Sequence, residues 1–286
     1  MTSHESVEIG TWFLQKSIIQ LSQLEARRES RRILCFVLHI TEHSYFIEPK
    51  RTISLSEFRI YSSLLRRRAK GEPFAYLTGS KEFYSIQFTV NQSVLIPRPE
   101  TEELIDIIIA DYANVQVQRV LDIGTGSGNI AATLANQWPL AYMAAVDLSV
   151  DALETARQNF IDLNLEKRIE LIHSDLLDSL EADEKSFDLI VSNPPYILKT
   201  EFDSLQIDVR DYEPYTALIV EQPESFYKRL FQQVLKYLRP NSNFYLESSP
   251  TIINKVSEMA MQAGFSDCQI RKDFSGHDRF LIATYR

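Results

Sequence analysis

Apolar side chains recur at helical spacing in the first quarter of the chain. One such stripe lies between residues 12 and 24, and a second lies between residues 33 and 40. The pattern Ser54-x-x-Glu57 is a capping box, which predicts the start of a further helix. We therefore predict a small helical bundle over residues 1–73.

From Phe74 to Ile96 the apolar period changes to two, which is the period of a β-strand. We predict a β-hairpin over residues 74–96, with its turn at Asn91-Gln92-Ser93. A helix should then begin near Pro99, because proline is favoured at the first helical position.

Strand-like and helix-like segments alternate over residues 97–286, which is typical of a parallel sheet covered by helices on both faces. The predicted strands lie near 118–123, 142–147, 169–172, 187–192, 242–247, 267–273 and 278–285. The predicted helices lie near 127–137, 150–164, 225–239 and 250–263, with Ser149 as an N-cap and Pro250 at a first helical position. Residues 197–222 have no clear period and are long enough to form a lid or a partner-contact loop.

Composition places the chain among ordinary globular proteins: 286 residues, 44% hydrophobic and 24% charged. No apolar run approaches the roughly 18 residues of a membrane span, and the start of the chain does not resemble a signal peptide, so we expect a cytoplasmic protein. Cys35 and Cys268 are isolated, and His39 and His43 lack the H-E-x-x-H pattern. We therefore expect neither a disulfide framework nor a metal site.

Charge is distributed unevenly along the chain. Residues 1–70 hold 12 Lys and Arg against 7 Asp and Glu, whereas the remainder holds 18 against 32. We expect the acidic part of the chain after residue 70 to bind naked nucleic acid poorly, because phosphate contacts depend on Lys and Arg. The run Arg66-Arg67-Arg68-Ala69-Lys70 has two interpretations: a contact for an anionic partner, or a solvated helix end whose cations complement the helix dipole.

Three of the 8 glycines fall in the segment from Asp122 to Gly128, between a predicted strand and a predicted helix. Glycines in such number indicate that the backbone of this loop comes very close to another group, and the loop amides could face a polar ligand. A nicotinamide dinucleotide would favour G-x-G-x-x-G, but here the third glycine comes one place early. Asp122 would also repel a pyrophosphate, whereas S-adenosylmethionine has a cationic amino acid end and no phosphate.

Two further acidic residues follow predicted strands. Asp147 ends the second strand of the alternating region and is placed to grip ribose hydroxyls. Asp175 follows the third strand, where it could accept from an adenine amino group with Leu176 against the ring. A structural role for Asp175 as a helix N-cap is the alternative.

The segment Asn193-Pro194-Pro195-Tyr196 follows an apolar strand directly. Two prolines remove two backbone donors and stiffen the chain, which leaves a row of carbonyl acceptors. Beside them stand one amide side chain and one aromatic ring. This combination suits a flat NH2 group, which offers two donors and a π face.

These motifs together resemble the class I methyltransferases that methylate a glutamine of peptide chain release factors. The resemblance covers almost the whole chain. It runs through the segments Pro73 to Gly79, Val94 to Glu102, Asp122 to Gly128, Asn193 to Tyr196, Val209 to Pro214 and Gly276 to Arg279. The chain departs from the family pattern at two places, and both affect the expected lip of the substrate site. Leu218 to Pro223 replace a glycine-rich turn, and Glu247-Ser248-Ser249 replace Glu-x-Gly.

The resemblance implies a Rossmann-like seven-stranded methyltransferase domain over residues 97–286, a β-hairpin linker over 74–96 and a substrate-docking helical domain over 1–73. It implies S-adenosylmethionine as the cofactor and no metal. The implied cofactor-binding residues are Asp122, Gly124, Thr125, Gly126, Gly128, Asp147, Leu148, Asp175, Leu176 and Asn193. The implied catalytic residues are Asn193, Pro194 and Tyr196, and the implied substrate-binding residues are these with Pro195, Arg98, Glu100 and Thr101.

The implied reaction is methylation of the side-chain amide nitrogen of the glutamine in the Gly-Gly-Gln motif of release factors 1 and 2. We also expect a monomer without membrane attachment or stable nucleic-acid binding. Without the resemblance, the residues leave two alternative functions open. One is methylation of an adenine or guanine amino group, since the same acceptors fit a flipped base, and the other is a cofactor-binding scaffold without catalysis, which Asn193 and Asp122 oppose.

Overall fold

The chain forms two compact units. In the computed structural model, which describes residues 1–180 and 187–286, the first unit comprises residues 1–79 with 205–212. The second comprises residues 80–204 and 213–286. The chain therefore returns to the helical unit for eight residues in the middle of the second unit.

The first unit is helical, as the apolar spacing predicts. Its elements are α1 (Ser3–Gln15), α2 (Gln23–Leu38), α3 (Glu42–Ile47), α4 (Leu55–Ala69) and α5 (Phe74–Thr78), with the short helix Ile207–Arg210 from the returning segment. The Ser54 capping box is confirmed, since the Ser54 side chain accepts from the Glu57 amide. The stripe between residues 12 and 24 is not one helix, because a second capping box at Ser22 and Glu25 starts α2 after a break.

The basic run at the end of α4 lies partly inside this unit. Arg68 is buried, and its Nε donates to Glu29 Oε2 at 2.8 Å while its Nη1 donates to the Gly71 carbonyl oxygen. Arg67 pairs with Glu72. The interpretation of the run as a solvated helix end is therefore wrong for Arg68, whose role is to join helices.

The second unit begins with a hairpin, β1 (Ser80–Phe83) and β2 (Ile86–Thr89). Its turn is at Tyr84 and Ser85, whose φ angles of 50° and 61° are those of a tight hairpin turn. The predicted turn position is wrong, because Asn91 forms a separate turn in which its Oδ1 accepts from the Ser93 amide. Residues 74–78 are helix rather than strand.

A seven-stranded sheet forms the centre of this unit. Its strands are β3 (Arg119–Ile123), β4 (Tyr142–Asp147), β5 (Ile169–His173), β6 (Phe187–Ser192), β9 (Leu238–Glu247), β10 (Asp267–Lys272) and β11 (Asp278–Tyr285). Their order is β10-β11-β9-β6-β3-β4-β5, with β11 antiparallel to both neighbours and the pairs from β9 to β5 parallel. The predicted alternation of strands and helices is thus confirmed.

Helices cover both faces of the sheet. They are α6 (Pro99–Asp111), α7 (Asn129–Gln137), α8 (Val150–Asp162), α11 (Pro223–Tyr237) and α12 (Ile253–Ala263). The predicted starts at Pro99 and Ser149 are confirmed, and the Ser149 hydroxyl accepts from the Ala152 amide. Pro250 does not begin a helix, because the chain turns at Ser249 and α12 starts three residues after Pro250.

Residues 197–222 hold short elements of their own. They are β7 (Ile197–Leu198), a 3-10 helix (Lys199–Ser204), α9 (Ile207–Arg210), α10 (Tyr215–Leu218) and β8 (Ile219–Val220). β7 and β8 pair in parallel. Within the described ranges, no helix combines the length and apolar character that crossing a bilayer requires.

Separate apolar cores lie on the two sides of the sheet. One contains Leu104, Ile108 and Phe160, and the other contains Tyr227, Phe231 and Phe244. Because β3 lies between β4 and β6, the loops that follow these three strands meet at one edge of the sheet. Ligands bind at this edge in open α/β sheets.

Candidate active site

A cavity of about 380 Å³ opens at the carboxyl ends of β3, β4 and β6. It lies wholly within the second unit. Its size is in the range of small-molecule sites. It is lined by the glycine loop after β3, by Asp147 and Leu148 after β4, by Asp175 and Leu176 after β5, and by Asn193, Pro194 and Pro195 after β6.

Two glycines of the loop turn the backbone beside the cavity. Gly124 and Gly126 have φ angles of +73° and +55°, and a Cβ on either would meet no atom within 4 Å. The amides of Gly124 and Thr125 donate to the Val146 carbonyl oxygen at 2.8 and 2.9 Å. The expectation that these amides face a ligand is therefore wrong, because they attach the loop to β4 instead.

Gly128 has a different role from the other two glycines. Its φ is +78°, and a Cβ there would lie 2.4 Å from Cε1 of Phe160, which is buried in α8. Gly128 does not line the cavity. It allows α7 to start close against α8, so its contribution to the site is packing.

Asp147 fixes the loop through both of its carboxylate oxygens. Oδ2 accepts from the Gly126 amide at 2.8 Å, and Oδ1 accepts from the Ser149 amide at 2.9 Å. Burial raises the pKa of Asp147, and the donated N–H groups oppose that rise. Each oxygen keeps a further lone pair, so the carboxylate at the cavity wall can also accept from ligand hydroxyls.

Asp122 lies beneath the loop and is 1% exposed. Its Oδ2 accepts from the Thr125 hydroxyl at 2.7 Å, whereas its Oδ1 has no hydrogen-bond partner among the described residues. Burial raises the pKa of Asp122 to about 7, and the nearby Asp147 adds to the rise. Two carboxyl groups so close together favour a ligand that carries positive charge.

Asp175 and Leu176 both line the cavity, on the turn that follows β5. The N-cap alternative for Asp175 is wrong, because residues 175–180 form turns rather than a helix. Asp175 Oδ2 instead accepts from Nη1 of Arg229 at 2.8 Å. Leu176 has a φ of +52°, a conformation that costs about 1–2 kcal/mol for a residue with a Cβ.

Asn193 stands at the end of β6 with its two amide atoms in different environments. Its Nδ2 donates to Oγ1 of Thr101 at 3.0 Å. Its Oδ1 is buried and has no hydrogen-bond partner among the described residues. A buried acceptor at a cavity wall is a place where a ligand N–H can bind.

Glu247, at the end of β9, was not among the residues expected to form the site. It is fully buried, its Oε2 accepts from the Thr101 hydroxyl at 2.7 Å, and its Oε1 lies 3.4 Å from the Tyr196 hydroxyl. Burial is the main cause that raises the pKa of Glu247 to about 7. The sequence held one signal for it, an acidic residue directly after the apolar run Phe244-Tyr245-Leu246 at the carboxyl end of the strand.

Arg98 forms part of the cavity wall where α6 begins. Its guanidinium pairs with Oε1 of Glu213, and Oε2 of Glu213 accepts from the Ile96 amide at 3.1 Å. Glu213 is itself 6% exposed. The turn that carries Arg98 is thereby fixed to the segment that contributes Pro214 to the same wall.

The structure brings most of the expected site residues together. Those that line the cavity are Gly124, Thr125, Gly126, Asp147, Leu148, Asp175, Leu176, Asn193, Pro194, Pro195, Arg98 and Thr101. Asp122, Gly128, Glu100 and Tyr196 do not line it. Asp122 instead accepts from the hydroxyl of Thr125, which lines the cavity, and Tyr196 donates to Glu247, which in turn accepts from the cavity residue Thr101.

The fold and this site define a class I S-adenosylmethionine-dependent methyltransferase. The family described as "Methyltransferase small domain" matches residues 102–207, and the family described as "PrmC N-terminal domain" matches residues 13–79. The chain belongs to the release factor glutamine methyltransferase family, as its relatives show.

One such relative is the release factor glutamine methyltransferase of Leptospira interrogans. It is 36% identical over 277 residues, which are 95% of this chain and 94% of that protein. The protein of the same name from Rhodopirellula baltica is 41% identical over 77% of this chain and 76% of its own length.

Solved structures agree on the fold. The 16S rRNA methyltransferase RsmC of T. thermophilus, in complex with AdoMet and guanosine, matches with a TM-score of 0.52 and 20% identity, over 72% of this chain and 50% of that chain. At this level of identity the similarity concerns the fold alone.

Proposed function

We propose that this protein transfers a methyl group from S-adenosylmethionine to the side-chain amide nitrogen of a glutamine in peptide chain release factors. The observation that carries the proposal is the buried Oδ1 of Asn193, an acceptor without a protein partner among the described residues. The family to which the chain belongs supports it.

The residues present suit S-adenosylmethionine as the methyl donor. Asp147 offers acceptors for ribose hydroxyls at the cavity wall, and the raised pKa of Asp122 means that a cationic ligand nearby would favour its ionised form. Gly124 and Gly126 leave space where a Cβ would stand. When bound, the cofactor supplies an electrophilic methyl group on a sulfonium.

The acceptor side of the site addresses a specific chemical difficulty. An amide nitrogen is a poor nucleophile, because its lone pair is delocalised into the carbonyl group. Asn193 Oδ1 and the Pro194 carbonyl oxygen can accept both N–H groups of such an amide, which orients the nitrogen and offsets the positive charge that develops on it. Proton loss then follows to solvent.

Recognition of the release factor falls, in this proposal, to two regions. Pro194, Pro195, Tyr196 and Arg98 form the immediate surroundings of the glutamine, with Glu100 and Thr101 in the turn beside them. The helical unit, which comprises residues 1–79 with 205–212 and contains the predicted docking domain over residues 1–73, binds the body of the protein substrate, and the hairpin within the predicted linker over 74–96 begins the second unit. We propose release factors 1 and 2 as substrates and a cytoplasmic monomer as the active form.

The change Asn193→Ala tests the proposal. We expect it to reduce methylation at least a hundredfold and to leave cofactor affinity within about twofold, since one preorganised hydrogen bond to charge that develops in the transition state is worth roughly 3 kcal/mol. Turnover with labelled cofactor and binding by calorimetry give the two quantities. Equal loss of both would show that Asn193 holds the cofactor or the fold instead.

A nucleic-acid substrate is the competing function, because the same acceptors fit an adenine or guanine amino group. The pairing of Arg67 and Arg68 with carboxylates removes two cations from the basic run that would contact phosphate. Presenting RNA and DNA beside release factor in the same assay decides between the substrates.

A further inference from the structure

A chain of buried hydrogen bonds leads away from Asn193 into the protein. Asn193 Nδ2 donates to Thr101 Oγ1, and the Thr101 hydroxyl donates to Glu247 Oε2. Thr101 is 2% exposed in the first turn of α6, and Glu247 is 0% exposed at the end of β9. Three elements of the second unit thus meet behind the acceptor.

An asparagine amide has two orientations of nearly equal shape, and its neighbours decide between them. A threonine hydroxyl has one proton to donate. An ionised Glu247 accepts only, so the Thr101 proton is committed to it and the Thr101 oxygen is left as an acceptor. Asn193 must then turn its NH2 toward Thr101 and its Oδ1 away from it.

We propose that Thr101 and Glu247 are positioning residues that set the orientation of the Asn193 amide and thereby keep its Oδ1 available as an acceptor. The advantage for catalysis rests on the proposed function, since an inverted Asn193 would present donors to the two N–H groups of a glutamine amide. The orientation itself does not depend on the substrate.

The surroundings of Glu247 make this arrangement sensitive to pH. Burial raises its pKa to about 7 and Glu100 adds to the rise, while the Thr101 hydrogen bond, Arg279 and Tyr196 oppose it. Arg279 is held in turn by Asp273, with Nε to Oδ2 at 2.8 Å. When Glu247 gains a proton it can donate to Thr101, and the Thr101 hydroxyl is then free to donate to Asn193 Oδ1.

The first test observes the amide directly, without any substrate. In the 15N-labelled protein, the side-chain NH2 resonance of Asn193, assigned by its loss in Asn193→Ala, should shift as the pH crosses about 7. Glu247→Gln and Thr101→Val should each abolish this shift. A resonance that does not respond to pH, or that still responds in Glu247→Gln, would overturn the proposal.

The second test follows turnover against pH. The kcat of the wild type should fall as the pH drops through about 7, and this fall should vanish in Thr101→Val although Glu247 is still present. Thr101→Val should lower kcat about tenfold at pH 8, the effect of one lost hydrogen bond, with Thr101→Ser restoring it. Thr11→Val, which removes a buried hydroxyl of α1, is the matched control and should retain the wild-type profile.

The two tests separate this inference from the proposed function. If the Asn193 resonance depends on pH but the protein methylates no release factor, the positioning role of Thr101 and Glu247 stands and the proposed substrate is refuted. Methylation with a kcat profile unchanged by Thr101→Val would do the reverse.

Discussion

The change Gly128→Ala should destabilise the protein, whereas Gly126→Ala should mainly weaken cofactor binding. Both glycines have positive φ, so an alanine at either costs about 1–2 kcal/mol in backbone conformation. Only Gly128 is crowded, because its Cβ would lie 2.4 and 2.7 Å from two ring atoms of Phe160. Overpacking of this kind adds about 1–3 kcal/mol.

Urea unfolding and calorimetric titration with S-adenosylmethionine measure the two effects separately. Gly128→Ala should lose about 1–3 kcal/mol more unfolding free energy than Gly126→Ala. Gly126→Ala should bind the cofactor more weakly, because its Cβ would stand at the wall of the cavity. Replacing the ring with a smaller side chain in Phe160→Leu should reduce the extra loss of unfolding free energy caused by Gly128→Ala, which a double-mutant cycle would detect. Equal destabilisation by the two glycine changes would refute the division of roles between them.

Three further predictions concern charged groups. Asp147→Asn should weaken cofactor binding at least tenfold in calorimetry, since an amide cannot accept from both Gly126 and Ser149, and a charge-assisted hydrogen bond is worth about 1.5–3 kcal/mol; unchanged affinity would contradict the role of Asp147. Arg68→Ala should cost about 1.5–3 kcal/mol in urea unfolding because Glu29 loses the charge-assisted hydrogen bond from Arg68, whereas exposed Arg66→Ala should stay within about 0.5 kcal/mol. The folded-state pKa of Asp122, about 7, lies above its ordinary 3.8, so the native state holds a proton that the unfolded state releases, and unfolding free energy falls as pH rises across that window. The unfolding free energy of Asp122→Asn should fall less than that of the wild type between pH 5 and 8, and the fall that remains is due in part to Glu247. An identical fall in the two proteins would refute the assignment to Asp122.

Local patterns predicted the elements of the fold well. The capping box at Ser54 and the N-cap at Ser149 depend on neighbouring residues alone, and both are confirmed. The hairpin turn was misplaced because Asn91 is a good turn residue, while Tyr84 and Ser85 adopt positive φ without any glycine. The pairing of strands, not local composition, sets that turn.

The site was less predictable where roles depend on distant partners. Nothing near Gly128 in the sequence indicates Phe160, and nothing near Asp175 indicates Arg229, which lies 54 residues away. Glu247 is 146 residues from Thr101, so only the folded sheet brings it behind Asn193. The segment from Asn193 to Tyr196 therefore predicted Asn193 as an acceptor, and only the structure identified Thr101 and Glu247 as the residues that orient it.

The position of the transferred methyl group tests the proposed activity most sharply. The protein is incubated with labelled S-adenosylmethionine and with release factor, RNA or DNA, and labelled peptides are sequenced by mass spectrometry. We predict label in release factor alone, on the side-chain amide nitrogen of the glutamine in its Gly-Gly-Gln motif. Label on an amino group of a nucleic-acid base, or on another residue of the release factor, would contradict the account.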